Sequence, residues 1–147
     1  MRYCDTGVLL KLYTVEEGAD AVRAWVVRCG EALVFTTLHR SECVSALRLK
    51  VFRGECDWEQ SAAALAALDD DVDAGVLRPT ALDWDAVWER AERLARAHAA
   101  GTGCRTLDTL HVASALQLDA QEMVTRDQRQ AALARTAGLA VVNPLGP

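Results

Sequence analysis

No run of apolar residues in this 147-residue chain approaches the ~20 needed to span a bilayer. That excludes a membrane-spanning helix. The N-terminus, MRYCDTGVLLKLY, has a short apolar patch broken by Asp5 and Lys11, so it does not read as a signal peptide. The five cysteines (Cys4, Cys29, Cys43, Cys56, Cys104) are odd in number and contain no CxxC pair. They argue against a disulfide framework and for a reducing, cytoplasmic setting with the thiols as small core residues. His39, His98 and His111 have no partner at zinc-ligand spacing. There is no P-loop, no GxGxxG, no internal repeat, no linker and no low-complexity tail. Lysine is scarce as well: Lys11 and Lys50 are the only two among 16 basic residues, and 21 acids bring the net charge to -5. Non-specific attraction to nucleic acid is therefore not expected. A local arginine groove remains open, because the guanidinium suits bidentate phosphate contact.

What is present describes an ordinary soluble globular protein, with 51% hydrophobic and 25% charged residues. One domain over residues 1–147 is the simplest organisation. Its centre is the stretch from Cys104 to Asp127. An apolar helix (Leu107, Leu110, Val112, Ala113, Ala115, Leu116, Leu118) runs into a strand at Met123-Val124 that ends on Thr125-Arg126-Asp127. Apolar residues on nearly every side predict a buried helix. Asp108 nevertheless sits in its first turn, and a buried carboxylate costs several kcal/mol unless a cation or hydrogen bonds meet it.

The rest reads as alternating elements. Met1–Cys4 is a strand, followed by Asp5-Thr6-Gly7 and a helical run from Val8 to Tyr13. Glu16 to Arg28 is an amphipathic helix stopped by Gly30. Leu33–Thr37 is a strand whose threonines cap a helix from Leu38 to about Arg53. Asp57 to about Asp70 is an alanine-rich helix, Gly75–Thr80 a loop or strand, and Leu82 to Ala100 a helix set off by Gly101-Thr102-Gly103. Gln128–Ala137 is helical and Leu139–Val142 a last strand. Short strands separated by helices predict an α/β fold with a parallel sheet covered on both faces.

In such sheets ligands bind beyond the carboxyl ends of the strands. Asp5 and Asp127 follow strands, Asp108 opens a helix near the same rim, and Glu42 lies one turn into the helix leaving Leu33–Thr37. Each has a plainer reading. Asp127 with Gln130 has the form of a capping box, Asp5 suits a cap for the Val8 helix, Asp108 suits a helix dipole with Thr106 as cap, and Glu42 suits a solvated helix face. Four independent caps need not fall at one rim, however. Four close carboxylates require a counter-charge, and Mg²⁺ or Mn²⁺ with oxygen ligands supplies it. Such an ion polarises a phosphoryl oxygen and activates water, the logic of phosphodiester hydrolysis.

Other signals are weaker. Asp69-x-Asp71-x-Asp73 starts like a calcium loop, but Ala74 and Thr80 stand at positions six and twelve, so a solvated acidic turn is expected. Trp84 and Trp88 read as core rather than as base-stacking platforms, and His111 as a satisfied core histidine.

Four blocks, MRYCDTGVLLKLY, SECVSALRLK, RTLDTLHVASALQL and MVTRDQRQAALARTAGLAVV, together resemble the PIN domain. More closely they are similar to the VapC toxins of bacterial type II toxin–antitoxin pairs. The resemblance implies a three-layer α/β/α sandwich with a mainly parallel central sheet of about five strands. It implies Mg²⁺- or Mn²⁺-dependent endoribonuclease activity, an RNA substrate such as tRNA or rRNA, a VapB-type antitoxin that blocks the site, and a homodimer or toxin–antitoxin hetero-oligomer. Carried over residue by residue, the acidic quartet falls on Asp5, Glu42, Asp108 and Asp127. Asp5 and Asp108 are then the main metal ligands, with Glu42 and Asp127 completing the site through waters or a second ion. Thr125 matches a position that orients the active-site water or acid network, and Arg105 a basic position that meets phosphate or pairs with a carboxylate. The family commonly has Ser or Thr two residues after the first acid, where this chain has Gly7; Thr6 is the hydroxyl available in its place. Two other readings stay open: a non-catalytic PIN-like module that binds RNA or protein, and a phosphatase with Asp5 as nucleophile. The second lacks an Asp two residues on to serve as acid–base.

Overall fold

The structure is a computed structural model in which residues 1–146 are described. The first half of the chain forms β1 (Arg2–Cys4), α1 (Thr6–Leu10), α2 (Ala19–Cys29), β2 (Leu33–Phe35), α3 (Thr37–Phe52), α4 (Trp58–Asp73) and β3 (Leu77–Pro79). The second half forms α5 (Trp84–Thr102), α6 (Thr106–Gln117), β4 (Glu122–Val124), α7 (Gln128–Thr136) and β5 (Ala140–Val142). The chain divides into two compact units, Met1–Asp5 with Leu82–Pro147, and Thr6–Ala81. No helix among the described residues is long and apolar enough to cross a membrane.

In the first unit β4 lies between β1 and β5, parallel to both, with Tyr3 opposite Met123 and Met123 opposite Val141. Tyr3, Met123 and Val124 are fully buried, and Val112, Ala113, Val87 and Leu133 complete the core beneath them. Each large apolar side chain removed from water in this way contributes roughly 1.5–3 kcal/mol. In α6 every residue from Asp108 to Ala115 is buried, as its all-round apolar pattern predicts. The longest helix, α5, runs through Gly101 and Thr102, beyond the expected end at Ala100. It stops at Gly103, whose left-handed backbone (φ 69°) turns its N–H onto the Ala99 carbonyl.

In the second unit β2 and β3 pair in parallel, Leu33 opposite Leu77 and Phe35 opposite Pro79, so the stretch left open as loop or strand is a strand. Helix α2 starts at Ala19, later than the expected Glu16. Lys11 Nζ donates to the Glu17 carbonyl at 2.7 Å and Gly18 takes a left-handed φ of 82°, which holds the preceding residues out of the helix. Asp57 and Gln60 close a capping box on α4. This helix continues to Asp73, so Asp69, Asp71 and Asp73 lie on its last turns and not in a solvated turn. Side-chain partners hold two of them there: Arg40 pairs with Asp69, and the Tyr13 hydroxyl donates to Asp71 Oδ2 at 2.8 Å.

The fold is mixed α/β, with all strand pairs parallel, as expected. The expected five strands are all present, but their ladders form a three-stranded and a two-stranded sheet and not one continuous sheet. Period and turn residues locate a strand; they do not say which neighbour its backbone will bond. Trp88 departs from its expected core position and is 53% exposed. Helix α5 buries Val87 and Ala91, and one residue past Val87 the helix has turned ~100° away from that face.

Candidate active site

The site begins where β1 and β4 end. The Asp5 backbone N–H donates to the Val124 carbonyl at 3.0 Å, extending the ladder by one residue and fixing Asp5 beside Thr125. Asp5 is 7% exposed. The buried Thr125 hydroxyl donates to Asp5 Oδ2 at 2.5 Å and accepts from the Asp127 backbone N–H at 3.0 Å. One hydroxyl thus ties the acid after β1 to the loop after β4.

Asp127 is the N-cap of α7. Its Oδ1 accepts from the backbone N–H groups of Arg129 (2.8 Å) and Gln130 (3.1 Å). The expected capping box is only half made. The Asp127 N–H goes to Thr125, and the Gln130 side-chain oxygen is buried with no hydrogen-bond partner among the described residues. Capping occupies one carboxylate oxygen and leaves the other for the site. Asp127 Oδ2 lies 3.8 Å from Arg105 Nη2.

Arg105 also reaches Asp108. Its backbone N–H donates to Asp108 Oδ2 at 2.7 Å, and its Nε stands 3.6 Å from the same oxygen. Arg105 is the N-cap residue of α6; Thr106, the expected cap, is instead the first helical residue, its carbonyl accepting from the Thr109 hydroxyl. The Asp108 carboxylate is nearly buried while the Arg105 side chain is mostly exposed. The acid is therefore fixed and its counter-charge is free to move.

Asp5, Thr125, Asp127, Arg105 and Asp108 consequently form one connected chain of contacts within the first unit. Glu42 belongs to the second unit. It flanks the buried stripe of α3 formed by His39, Cys43 and Leu47, and its Oε2 accepts from the Thr6 hydroxyl at 2.6 Å. Thr6 supplies a hydroxyl to an acid despite Gly7 at the following position. Beside Glu42, burial, with the Glu42 charge adding to it, pushes the Cys43 thiol up to about 12. A fully buried thiol so hard to ionise is no nucleophile. His111 is buried with Nδ1 3.0 Å from the Tyr3 hydroxyl, a satisfied core histidine as expected.

Among the described residues no group of three or more His, Cys, Asp or Glu is drawn together as a metal cluster. The donor chemistry of the first unit nonetheless suits a hard cation. It offers carboxylate oxygens without nitrogen or sulfur, two of the acids are nearly buried, and a cationic guanidinium already lies between Asp108 and Asp127. Sequence reasoning missed the second use of Thr125 as acceptor for Asp127. The T-x-D spacing carried that signal, since a hydroxyl two residues before a cap can take the N–H that Gln130 leaves.

Comparison with known proteins bears on the fold. A family model described as PIN domain matches residues 2–137. Among solved structures, FitAcB from Neisseria gonorrhoeae matches with a TM-score of 0.65 at 20% identity, over 98% of this chain and 98% of that one. At that identity the likeness is one of fold. No curated protein matches the sequence.

Proposed function

Since this chain belongs to the PIN domain family, whose members are in general nucleases, we propose that it is a metal-dependent endoribonuclease of the VapC toxin type. In this reading residues 1–147 act as one PIN-like domain that hydrolyses RNA phosphodiester bonds in the cytoplasm. The observation that carries the proposal is the connected network Asp5–Thr125–Asp127–Arg105–Asp108 at the carboxyl ends of β1 and β4.

Asp5 and Asp108 would hold Mg²⁺ or Mn²⁺, with Asp127 and Glu42 completing the set. Glu42, whose carboxylate accepts from the Thr6 hydroxyl within the second unit, is included as the fourth acid that the family resemblance implies. When bound, the ion supplies polarisation of the phosphoryl oxygen and an activated water. The chain's own residues do the rest. Thr125 donates to Asp5 Oδ2 and holds that carboxylate in place. The α7 backbone holds Asp127 through Oδ1, so that its other oxygen faces the site. Arg105 neutralises Asp108 and Asp127 in the resting protein, and its exposed side chain is placed to turn toward an RNA phosphate when the acids are otherwise engaged.

The regulator in this reading is a VapB-type antitoxin, in a toxin–antitoxin hetero-oligomer or on a toxin homodimer, which places a basic side chain in the acid pocket by charge complementarity. A complex whose antitoxin keeps every arginine and lysine out of that pocket would refute this part. The catalytic claim is tested by RNA cleavage with Mg²⁺ or Mn²⁺. Activity should vanish with EDTA and in Asp5→Asn. A folded protein that binds no divalent ion sinks the proposal; ion binding without cleavage favours the non-catalytic module.

A further inference from the structure

A cleft of about 350 Å³ lies between α7 and the segment that follows β5, past the carboxyl ends of β4 and β5. Its lining includes Thr125, the residue that hydrogen-bonds Asp5, and continues along α7 from Gln128 to Arg135. Seven helical steps of ~1.5 Å make that path about 10 Å long. Its charged lining is Arg126 and Arg135, with no aspartate or glutamate among the described residues around it. Asp127, next in sequence to Arg126, does not line it.

A lining whose described charged residues are all arginine stands out in a chain of net charge -5. The cleft beside Trp88 and Arg105 is lined by Glu89 and Glu92 as well. The one beside Tyr13 includes Glu55. Two exposed guanidiniums with no aspartate or glutamate between them among the described residues form a site for an anion, and their planar forks match phosphate oxygens in pairs. Gln128 adds an uncharged amide. Asn143 is committed to closing its own turn, donating to the Gly146 carbonyl at 2.6 Å and accepting from the Leu145 N–H.

We propose that this cleft binds the RNA backbone next to the scissile bond, with Arg126 and Arg135 on the flanking phosphates. The strand then leaves the acid network at Thr125 and follows α7. The inference rests on the nuclease reading for its ligand, and adds a positioning surface that the acidic quartet does not supply. Arg126 and Arg135 would govern substrate affinity and the direction in which the strand lies, without holding the ion.

The test is fluorescence polarisation with a short fluorescein-labelled oligouridylate in EDTA, so that nothing is cleaved, across a salt series. In Arg126→Gln/Arg135→Gln, affinity at low salt is expected to fall by about tenfold or more. The slope of log K against log salt should shrink by about 0.7 for each phosphate that is no longer neutralised. Arg126→Lys/Arg135→Lys should recover most of the salt slope and only part of the affinity. Arg78→Gln, an exposed arginine of the other unit, should leave both unchanged. Circular dichroism and thermal melts confirm folding, and a Mn²⁺ titration reports the acid network separately. Unchanged RNA affinity and slope in the double Gln variant, with Mn²⁺ still bound, overturn the cleft and leave the nuclease reading standing. Arginine-dependent RNA binding in a protein that binds no Mn²⁺ supports the cleft and ends the nuclease reading. A wild-type protein with no RNA affinity, or a double variant impaired only toward an oligoglutamate competitor, overturns the proposed ligand.

Discussion

Two strand-to-helix handovers in this molecule look alike in sequence and differ in chemistry. After β2, Thr36 caps α3: its hydroxyl accepts from the His39 N–H at 3.4 Å, while His39 Nδ1 accepts from the Thr36 N–H at 3.0 Å. Both side chains are buried, and the His39 ring also stacks on Phe35 with centroids 6.0 Å apart. After β4, Thr125 and Asp127 do the same capping work for α7 with atoms to spare. The Thr125 hydroxyl reaches on to Asp5, and Asp127 Oδ2 faces Arg105. A cap made between two uncharged neighbours within one turn is structural. One that keeps a charged oxygen pointed at another charge is a candidate for chemistry.

The sharpest break in this comparison should come from the acids themselves. Asp108→Asn keeps the shape and an acceptor for the Arg105 N–H, yet should lower RNA cleavage by at least about 100-fold, beyond the loss typical of an outer-sphere partner. Mn²⁺ affinity by calorimetry should fall with it. Intact cleavage in this variant would place the chemistry elsewhere.

Next, Thr125→Val removes both hydrogen bonds of the linking hydroxyl. Activity and metal affinity should fall about 10–100-fold, and Thr125→Ser should restore them. Thr36→Val is the counterpart in the other handover. It should cost about 1 kcal/mol of stability in urea unfolding and leave metal affinity untouched. Equal functional losses from the two substitutions would erase the distinction.

Asp127 separates the two roles within a single residue. Asparagine caps a helix about as well as aspartate, so Asp127→Asn should keep the stability and lose metal affinity. Asp127→Ala should lose about 1 kcal/mol of stability in addition. If Asp127→Asn binds Mn²⁺ like the wild type, Asp127 is a cap only.

The effect furthest from the chemistry lies in the second unit and shows only at alkaline pH. The Cys43 thiol is held protonated up to about 12 in the folded chain and ionises near 9 when unfolded. Its contribution is therefore complete below pH about 9 and declines as pH rises toward 12, by roughly 1.4 kcal/mol per pH unit at most. Tyr13, also pushed up by burial and by its hydrogen bond to Asp71, acts in the same direction. Cys43→Ala should flatten the alkaline limb of a stability–pH curve. An unchanged limb would assign it to Tyr13.

Much of this is legible along the chain. The Asp57 start of α4, the N-cap roles of Thr36 and Asp127, and the buried character of α6 follow from short-range rules acting within one turn. Thr106 departs from its expected capping role because Asp108 turns back to its own N-cap backbone, Arg105, and so closes the helix start without a hydroxyl. Trp88 departs from the core because an aromatic side chain says nothing about which of two adjacent helix faces meets it.

By itself, the sequence determined the order of strands and helices, the caps that start them and the acids that follow β1 and β4, because each depends on neighbours within a few residues. Only the tertiary structure decided that Thr125 hydrogen-bonds an acid 120 positions away, that Arg105 spans Asp108 and Asp127, and that two arginines share a cleft lined by no aspartate or glutamate among the described residues. Those pairings depend on which strand ends lie side by side in the β1–β4–β5 sheet. Strand partnership is set by burial over the whole core and not by local preference.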